Sequence, residues 1–229
     1  MEALGVRSQP VWAYLQLMRP ANILTAWADI LVGYAAAGSG MVLANLWAGE
    51  FSVSVLGPLG WLLLSTSGLY GGGVVFNDVF DAELDQQERP ERPLPSGRAS
   101  LLGATLLGSA LLVMGVLAAA QVSLVCAAVA TAVAIAALIY DALGKHQHWL
   151  GPLNMGLCRG GNWLLGVSIL PAMLAERWFI AVIPIIYIAA VTAISQGEVE
   201  GGKRQTGIVP IALLLIEHTS ILGLTSLPT

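Results

Sequence analysis

An asparagine and three aspartates recur at helical spacing in one short segment, as Asn77, Asp78, Asp81 and Asp85. Residues three or four apart share one face of a helix, so these side chains would gather if the segment is helical. Crowded carboxylates repel one another unless a cation lies between them. Mg²⁺ prefers oxygen ligands and is usually held by one or two carboxylates together with phosphates of a substrate. The spacing therefore predicts a magnesium site for a phosphorylated ligand, with Asp78, Asp81 and Asp85 as metal ligands.

Basic residues follow the acids in the same segment, at Arg89, Arg92 and Arg98. Guanidinium groups form strong charge-assisted hydrogen bonds to phosphate. The arginines therefore fit the role of diphosphate ligands beside the metal. The alternative to a magnesium and diphosphate site is that this segment is a solvated acidic loop between two membrane helices.

The composition is that of a membrane protein. Of 229 residues, 56% are hydrophobic and only 10% are charged, and the mean hydropathy is +0.76, which lies outside the usual range of soluble domains. The net charge of −4 and the absence of a basic stripe argue against nucleic acid as a partner. The first residues do not have the pattern of a cleavable signal peptide.

Apolar runs of roughly the length of a membrane helix recur along the whole chain. They predict an all-α, polytopic integral membrane helix bundle that forms a single domain over residues 1–229, with about seven transmembrane helices. Eight of the ten Lys and Arg residues fall on one side if the runs cross in alternation, and that side is cytoplasmic by the positive-inside rule. The polar segments then share the cytoplasmic face of what we expect to be the plasma membrane. The runs are 11–37, 53–76, 100–119, 122–140, 152–172, 178–195 and 206–225.

Two charged residues lie inside apolar runs. Asp29 is ten residues beyond Arg19, and Arg159 lies among glycines in the fifth run. A charge in the bilayer is costly unless it has a partner. Arg159 is therefore expected to pair with an anion, and the candidates are Asp29, Glu198, Glu217 and a bound diphosphate.

The acidic pattern NDxxDxxxD at 77–85, followed by RPLPSG at 92–97, resembles the first aspartate-rich motif of the UbiA superfamily of intramembrane prenyltransferases. RPAN at 19–22 is similar to the start of the family's first helix, and Tyr140 with Lys145 resembles its Y-x-x-x-K element. YDALGK at 140–145 and the run at 151–166 resemble the EboC-type subgroup of UbiA-like proteins.

The resemblance implies Mg²⁺-dependent transfer of a prenyl group from a polyprenyl diphosphate to a small-molecule acceptor, here expected to be aromatic, inside the membrane. It implies that Asp78, Asp81 and Asp85 hold magnesium and that Lys145 neutralises phosphate oxygens. Aromatic faces that could stabilise the allylic cation are Trp27, Tyr70, Phe76 and Trp163. The implied substrate-binding residues are Asn22, Asn77, Arg92, Tyr140, Arg159 and Glu198.

Two features depart from the family pattern. The family's second aspartate motif corresponds to residues 195–204, where Glu198 can replace an acid but Ser195 and Gly202 stand at acid positions. The seven runs also fall short of the usual nine helices, so the last helices are expected to be missing. A non-catalytic membrane protein that binds or transports a prenylated or other hydrophobic metabolite is therefore the alternative function.

Overall fold

The computed structural model describes the backbone of residues 10–39, 53–144, 147 and 150–199, and the side chains of 11–38, 56–144, 147 and 150–192. Within these ranges the chain is helical and contains no strand, which confirms the predicted all-α class. Short π-helical turns follow the helices that end at Tyr34 and Ile139, at Ala35–Ser39 and Tyr140–Gly144. The helices are α1 Pro10–Met18, α2 Pro20–Tyr34, α3 Val53–Phe80, α4 Ala82–Glu88, α5 Leu101–Ala120, α6 Leu124–Ile139, α7 Leu150–Val167, α8 Pro171–Arg177 and α9 Val182–Val199.

Four helical stretches of the described chain are long and apolar enough to cross a membrane: Leu56–Phe80, Leu101–Ala120, Leu124–Gly144 and Pro171–Thr192. The predicted count of about seven is not confirmed. The run 11–37 is divided at Arg19, which leaves α2 with 15 residues, fewer than the ~20 that span a bilayer. The run 152–172 corresponds to α7, which carries Arg159 and two asparagines. The run 206–225 lies outside the described residues.

Glycines allow α3 and α5 to cross at close range. A Cβ placed on Gly68 would lie 2.5 Å from the carbonyl oxygen of Leu111 and 2.9 Å from the backbone nitrogen of Gly115. Small residues at a helix crossing let two backbones approach in a membrane, where packing contacts replace the hydrophobic driving force. The glycines that precede the acidic segment thus serve helix packing, and they fix α3 in the bundle.

A second close crossing joins α2 to α7. A Cβ on Gly166 would lie 2.5 Å from the carbonyl oxygen of Ile30 and 2.9 Å from the Cα of Gly33. Ile30 and Leu165 are fully buried at this crossing. The contact brings Asp29 of α2 alongside Arg159 of α7.

The acidic segment continues the helix of α3 with a kink at Asp81, whose φ and ψ are −90° and 2°. The Asp81 N–H donates to the Asn77 carbonyl at 3.0 Å, and the Asp85 N–H donates to the Asp81 carbonyl at 2.8 Å. Helical hydrogen bonding therefore carries across the kink into α4. The chain then returns through a turn to Ser100, whose hydroxyl accepts from the Gly103 N–H at 3.0 Å and caps α5.

Candidate functional site

Two buried aspartates of the acidic segment converge on one arginine. Arg92 Nη1 donates to Asp85 Oδ2 at 2.7 Å and lies 3.3 Å from Asp78 Oδ1. Asp78 and Asp85 are 5% and 2% exposed. Their oxygens thus approach the same point, at which a guanidinium lies in this structure. The cause is local: the two residues are two helical turns apart, and the turn after α4 brings Arg92 back over them.

Arg19 is the second cation at this point. Its Nη2 donates to Asp78 Oδ1 at 2.6 Å. Arg19 lies between α1 and α2 with φ 46° and ψ 59°, a left-handed conformation that is uncommon for residues other than glycine and carries an energetic cost. Pro20 follows at the first position of α2, where its missing N–H costs no hydrogen bond. The strained turn places the guanidinium on Asp78.

A cavity of about 410 Å³ opens beside this ion network. At its wall, Asn77 Nδ2 donates to Asp141 Oδ1 at 3.0 Å. Asp141 belongs to the π-helical turn after α6, next to Tyr140. Arg19 lines the cavity as well as contacting Asp78, so it links the ion network to the open volume. Most of the remaining wall is apolar, with Leu69, Val74, Val133, Ala137, Met155 and Ile188 among the lining residues.

A second polar cluster lines the same cavity between α2, α3 and α7. Asp29 accepts from Asn162 Nδ2 at 3.1 Å and from Trp163 Nε1 at 3.0 Å, and it lies 2.9 Å from Arg159 Nε. Thr66 Oγ1 donates to Asn162 Oδ1 at 2.8 Å. The prediction that Arg159 meets an anion is therefore confirmed, with Asp29 as the partner among the four candidates.

The sequence-predicted site residues that the structure describes do not form a single group. Asn77, Tyr140 and Arg159 line the cavity, whereas Asp78, Asp85 and Arg92 form the ion network beside it. Asp81 lies half-buried at the kink between α3 and α4. Asn22 is exposed in the first turn of α2 and is not part of the cavity lining. The side chains of Lys145 and Glu198 lie outside the described residues.

The three predicted metal ligands do not gather into a three-ligand metal group in the described part of the chain. The kink at Asp81 interrupts the regular helix face on which the prediction depended. Asp78 and Asp85 nevertheless offer carboxylate oxygens that converge on a single point. Since Mg²⁺ needs only one or two carboxylates when substrate phosphates complete its coordination, this donor set fits a magnesium ion.

Arg19 and Asp141 are absent from the sequence-predicted site. Arg19 stood out only as a topology-setting charge and as part of the RPAN motif. Asp141 stood beside Tyr140 in the second polar segment. Of the four aromatic residues that could stabilise the allylic cation, Tyr70 alone lines this cavity. Trp27 Nε1 instead donates to Ser67 Oγ at 2.8 Å.

The chain resembles known proteins in both sequence and structure. The model of the UbiA prenyltransferase family matches residues 30–227. The digeranylgeranylglyceryl phosphate synthase of Methanosarcina barkeri is 31% identical over 173 residues, which cover 71% of this chain and 56% of the relative. The enzyme of the same name from Methanothrix thermoacetophila is 35% identical over 152 residues, covering 66% and 52%. This chain thus spans about half the length of these curated relatives.

Solved structures share the fold. A digeranylgeranylglyceryl phosphate synthase structure has a TM-score of 0.69 at 22% identity and covers 91% of this chain and 72% of that chain. A UbiA homologue from Archaeoglobus fulgidus bound to GPP and Mg²⁺ has a TM-score of 0.62 at 20% identity, covering 90% and 73%. The apolar helices and the match to the family model identify an integral membrane protein. Because the family model covers most of the sequence, the chain belongs to the UbiA prenyltransferase family.

Proposed function

We propose that this protein is an enzyme that transfers a prenyl group from a polyprenyl diphosphate to a nucleophilic acceptor, with Mg²⁺ as cofactor. The observation that carries the proposal is the convergence of Asp78 and Asp85 on one nitrogen of Arg92, 3.3 Å and 2.7 Å away, beside a largely apolar cavity. Family membership and the relatives named as synthases support it. The A. fulgidus homologue bound to GPP and Mg²⁺ supports the ligand pair.

Each residue of the ion network has a role in this proposal. Asp78 and Asp85 would hold magnesium, with Asn77 and Asp81 nearby as further oxygen donors. The bound metal would neutralise charge on the departing diphosphate. Arg19 and Arg92 would exchange part of their contacts with carboxylates for contacts with phosphate oxygens. The resemblance adds Lys145 as a further phosphate contact.

The cavity supplies the second requirement of the reaction. An allylic cation reacts with water unless water is excluded, and the apolar wall disfavours water. The ring of Tyr70 lines this wall, and an aromatic face stabilises a nearby cation. The prenyl chain and the acceptor would meet here, below the diphosphate.

The acceptor has two candidates. The resemblance to the superfamily favours an aromatic acceptor. The relatives are named for digeranylgeranylglyceryl phosphate, which favours a glyceryl phosphate that already carries one geranylgeranyl group. In both cases we place the site at the cytoplasmic face of the plasma membrane, because the basic residues concentrate on that side.

The test uses purified protein in detergent with radiolabelled geranylgeranyl diphosphate, each acceptor in turn, and a lipid extract of the source cells. We expect release of inorganic diphosphate and a labelled lipid product that require Mg²⁺ and stop with EDTA. The chemical class of the labelled product identifies the acceptor. Tight binding of the prenyl diphosphate without release of diphosphate in any reaction would instead support the non-catalytic binding or transport protein.

A further inference from the structure

The proposed chemistry does not use the polar cluster around Asp29. Both oxygens of Asp29 already have donors, from Asn162, Trp163 and Arg159. Arg159 is held through Nε, and its Nη1 and Nη2 lie 3.4 Å from the hydroxyl and carbonyl oxygens of Thr25, the longest hydrogen bonds in this cluster. Its side chain is 30% exposed and lines the cavity. A guanidinium has five N–H donors, so Arg159 is fixed in place with donor capacity to spare.

The Nη atoms of Arg159 lie at Thr25, six residues beyond Arg19, which is about 9 Å along α2. Asp29 lies ten residues beyond Arg19, which is about 15 Å along α2 at 1.5 Å per residue. On α3, Thr66 contacts this cluster, whereas Asp78 belongs to the ion network. Those two residues are about 18 Å apart along the helix. Asp29 and Thr66 thus both lie away from the ion network, and Arg159 is a second cationic position in the cavity that Arg19 also lines.

A structural ion pair with Asp29 does not use all the donors of Arg159. The glycine contacts already hold α2 against α7 at the backbone. Asp29 would retain two donors, from Asn162 and Trp163, without the arginine. An arginine in a membrane protein that is open to a cavity is instead typical of a ligand contact.

We propose that Arg159, oriented by Asp29, forms a second oxyanion subsite that binds a carboxylate or phosphate group of the acceptor. This inference rests on the proposed function and specifies the acceptor as an acidic molecule. The planar fork of a guanidinium matches both oxyanions in a bidentate manner. Because Asp29 balances the charge of Arg159, the subsite attracts through oriented donors rather than through net charge. With its acid group bound at Arg159, the acceptor would point its nucleophile toward the ion network.

The test measures binding of paired acceptors to protein saturated with Mg²⁺ and geranylgeranyl thiolodiphosphate, an analogue that resists turnover. The pairs are geranylgeranylglyceryl phosphate with geranylgeranylglycerol, and 4-hydroxybenzoate with phenol. We expect the anionic member of one pair to bind about tenfold more tightly than the neutral member. The pair with this preference distinguishes a phosphate from a carboxylate. The preference should disappear in Arg159→Gln and persist in Arg177→Gln, which removes an arginine outside the cavity lining.

Two outcomes would overturn the inference. Equal affinity for anionic and neutral members of both pairs in the unmodified protein would mean that Arg159 is a structural partner of Asp29. A loss of thiolodiphosphate affinity in Arg159→Gln would assign Arg159 to the diphosphate site. If Arg159→Gln does not fold, Arg159→Lys keeps the charge but lacks the fork, and it should reduce the preference. Failure of the proposed function is seen separately, as absence of Mg²⁺-dependent thiolodiphosphate binding, and the acceptor titrations can then be repeated without the analogue.

Discussion

Replacing Gly33 with alanine should force α2 away from α7. A Cβ at this position would overlap the carbonyl oxygen of Trp163 and would lie 2.9 Å from the Cα of Gly166 and 3.0 Å from the nitrogen of Val167. All three are backbone atoms, so no side chain can rotate to relieve the overlap. The helices themselves must separate, and the contact between Asp29 and Arg159 lies at the same crossing.

The magnitude follows from two opposing terms. Overpacking of this kind costs up to about 3 kcal/mol, and alanine recovers up to about 1 kcal/mol over glycine inside a helix. The net loss for Gly33→Ala is therefore about 2 kcal/mol. For a chain of this size it corresponds to a melting temperature roughly 4–8 °C lower.

Gly60 is the matched control. It lies inside α3 with nothing within 4 Å of an added Cβ, so Gly60→Ala should leave the melting temperature unchanged or raise it by roughly 2–4 °C. The assay is thermal unfolding in detergent, followed by circular dichroism. A Gly33→Ala protein that melts at or above the temperature of the unmodified protein would refute the close crossing of α2 and α7.

Three further predictions concern the site and its orientation. Asp81→Asn should weaken Mg²⁺-dependent binding of a prenyl diphosphate, measured by titration, without a shift in melting temperature, because Asp81 is half-buried at the kink. Cysteines introduced at Gln86 and His146 should both react with an impermeant reagent only from the cytoplasmic side of oriented vesicles. Labelling of either cysteine from the outside would refute the predicted topology. Ser195→Asp combined with Gly202→Asp should lower the Mg²⁺ concentration needed for diphosphate release; an unchanged requirement in a folded variant would exclude a second metal site there.

The local spacing of residues in the sequence was enough to predict much of the fold and part of the site. Hydropathy alone predicted a helical membrane bundle, and the acidic segment was predicted as one face of a helix. Asp78 and Asp85 do share a point because two helical turns separate them. The cost of a buried charge was enough to predict that Arg159 needs a partner, and Asp29 is that partner.

Contacts between helices were not predictable in the same way. The contacts that α1 and α6 make with α3 depend on how each helix is rotated about its axis. They also depend on turns such as the one at Arg19, whose backbone is left-handed. Arg19 was therefore interpreted only as a charge that sets the membrane topology, although its side chain contacts Asp78. Asp141 was not among the predicted site residues, although it accepts a hydrogen bond from Asn77. Asn22 lies on the same face of α2 as Asp29, two helical turns earlier, but it belongs to the first turn of the helix and is exposed. The EboC-type subgroup stays a prediction.

We propose that the carboxylates facing Arg92 hold a prenyl diphosphate through magnesium. The most direct measurement is the affinity for geranylgeranyl thiolodiphosphate with and without Mg²⁺, in Asp78→Asn and in Glu88→Gln, which removes an exposed acid of the same segment. We predict Mg²⁺-dependent binding that falls at least about tenfold in Asp78→Asn and is unchanged in Glu88→Gln. Binding of equal strength with and without Mg²⁺, in both variants and in the unmodified protein, would mean that these carboxylates hold no magnesium.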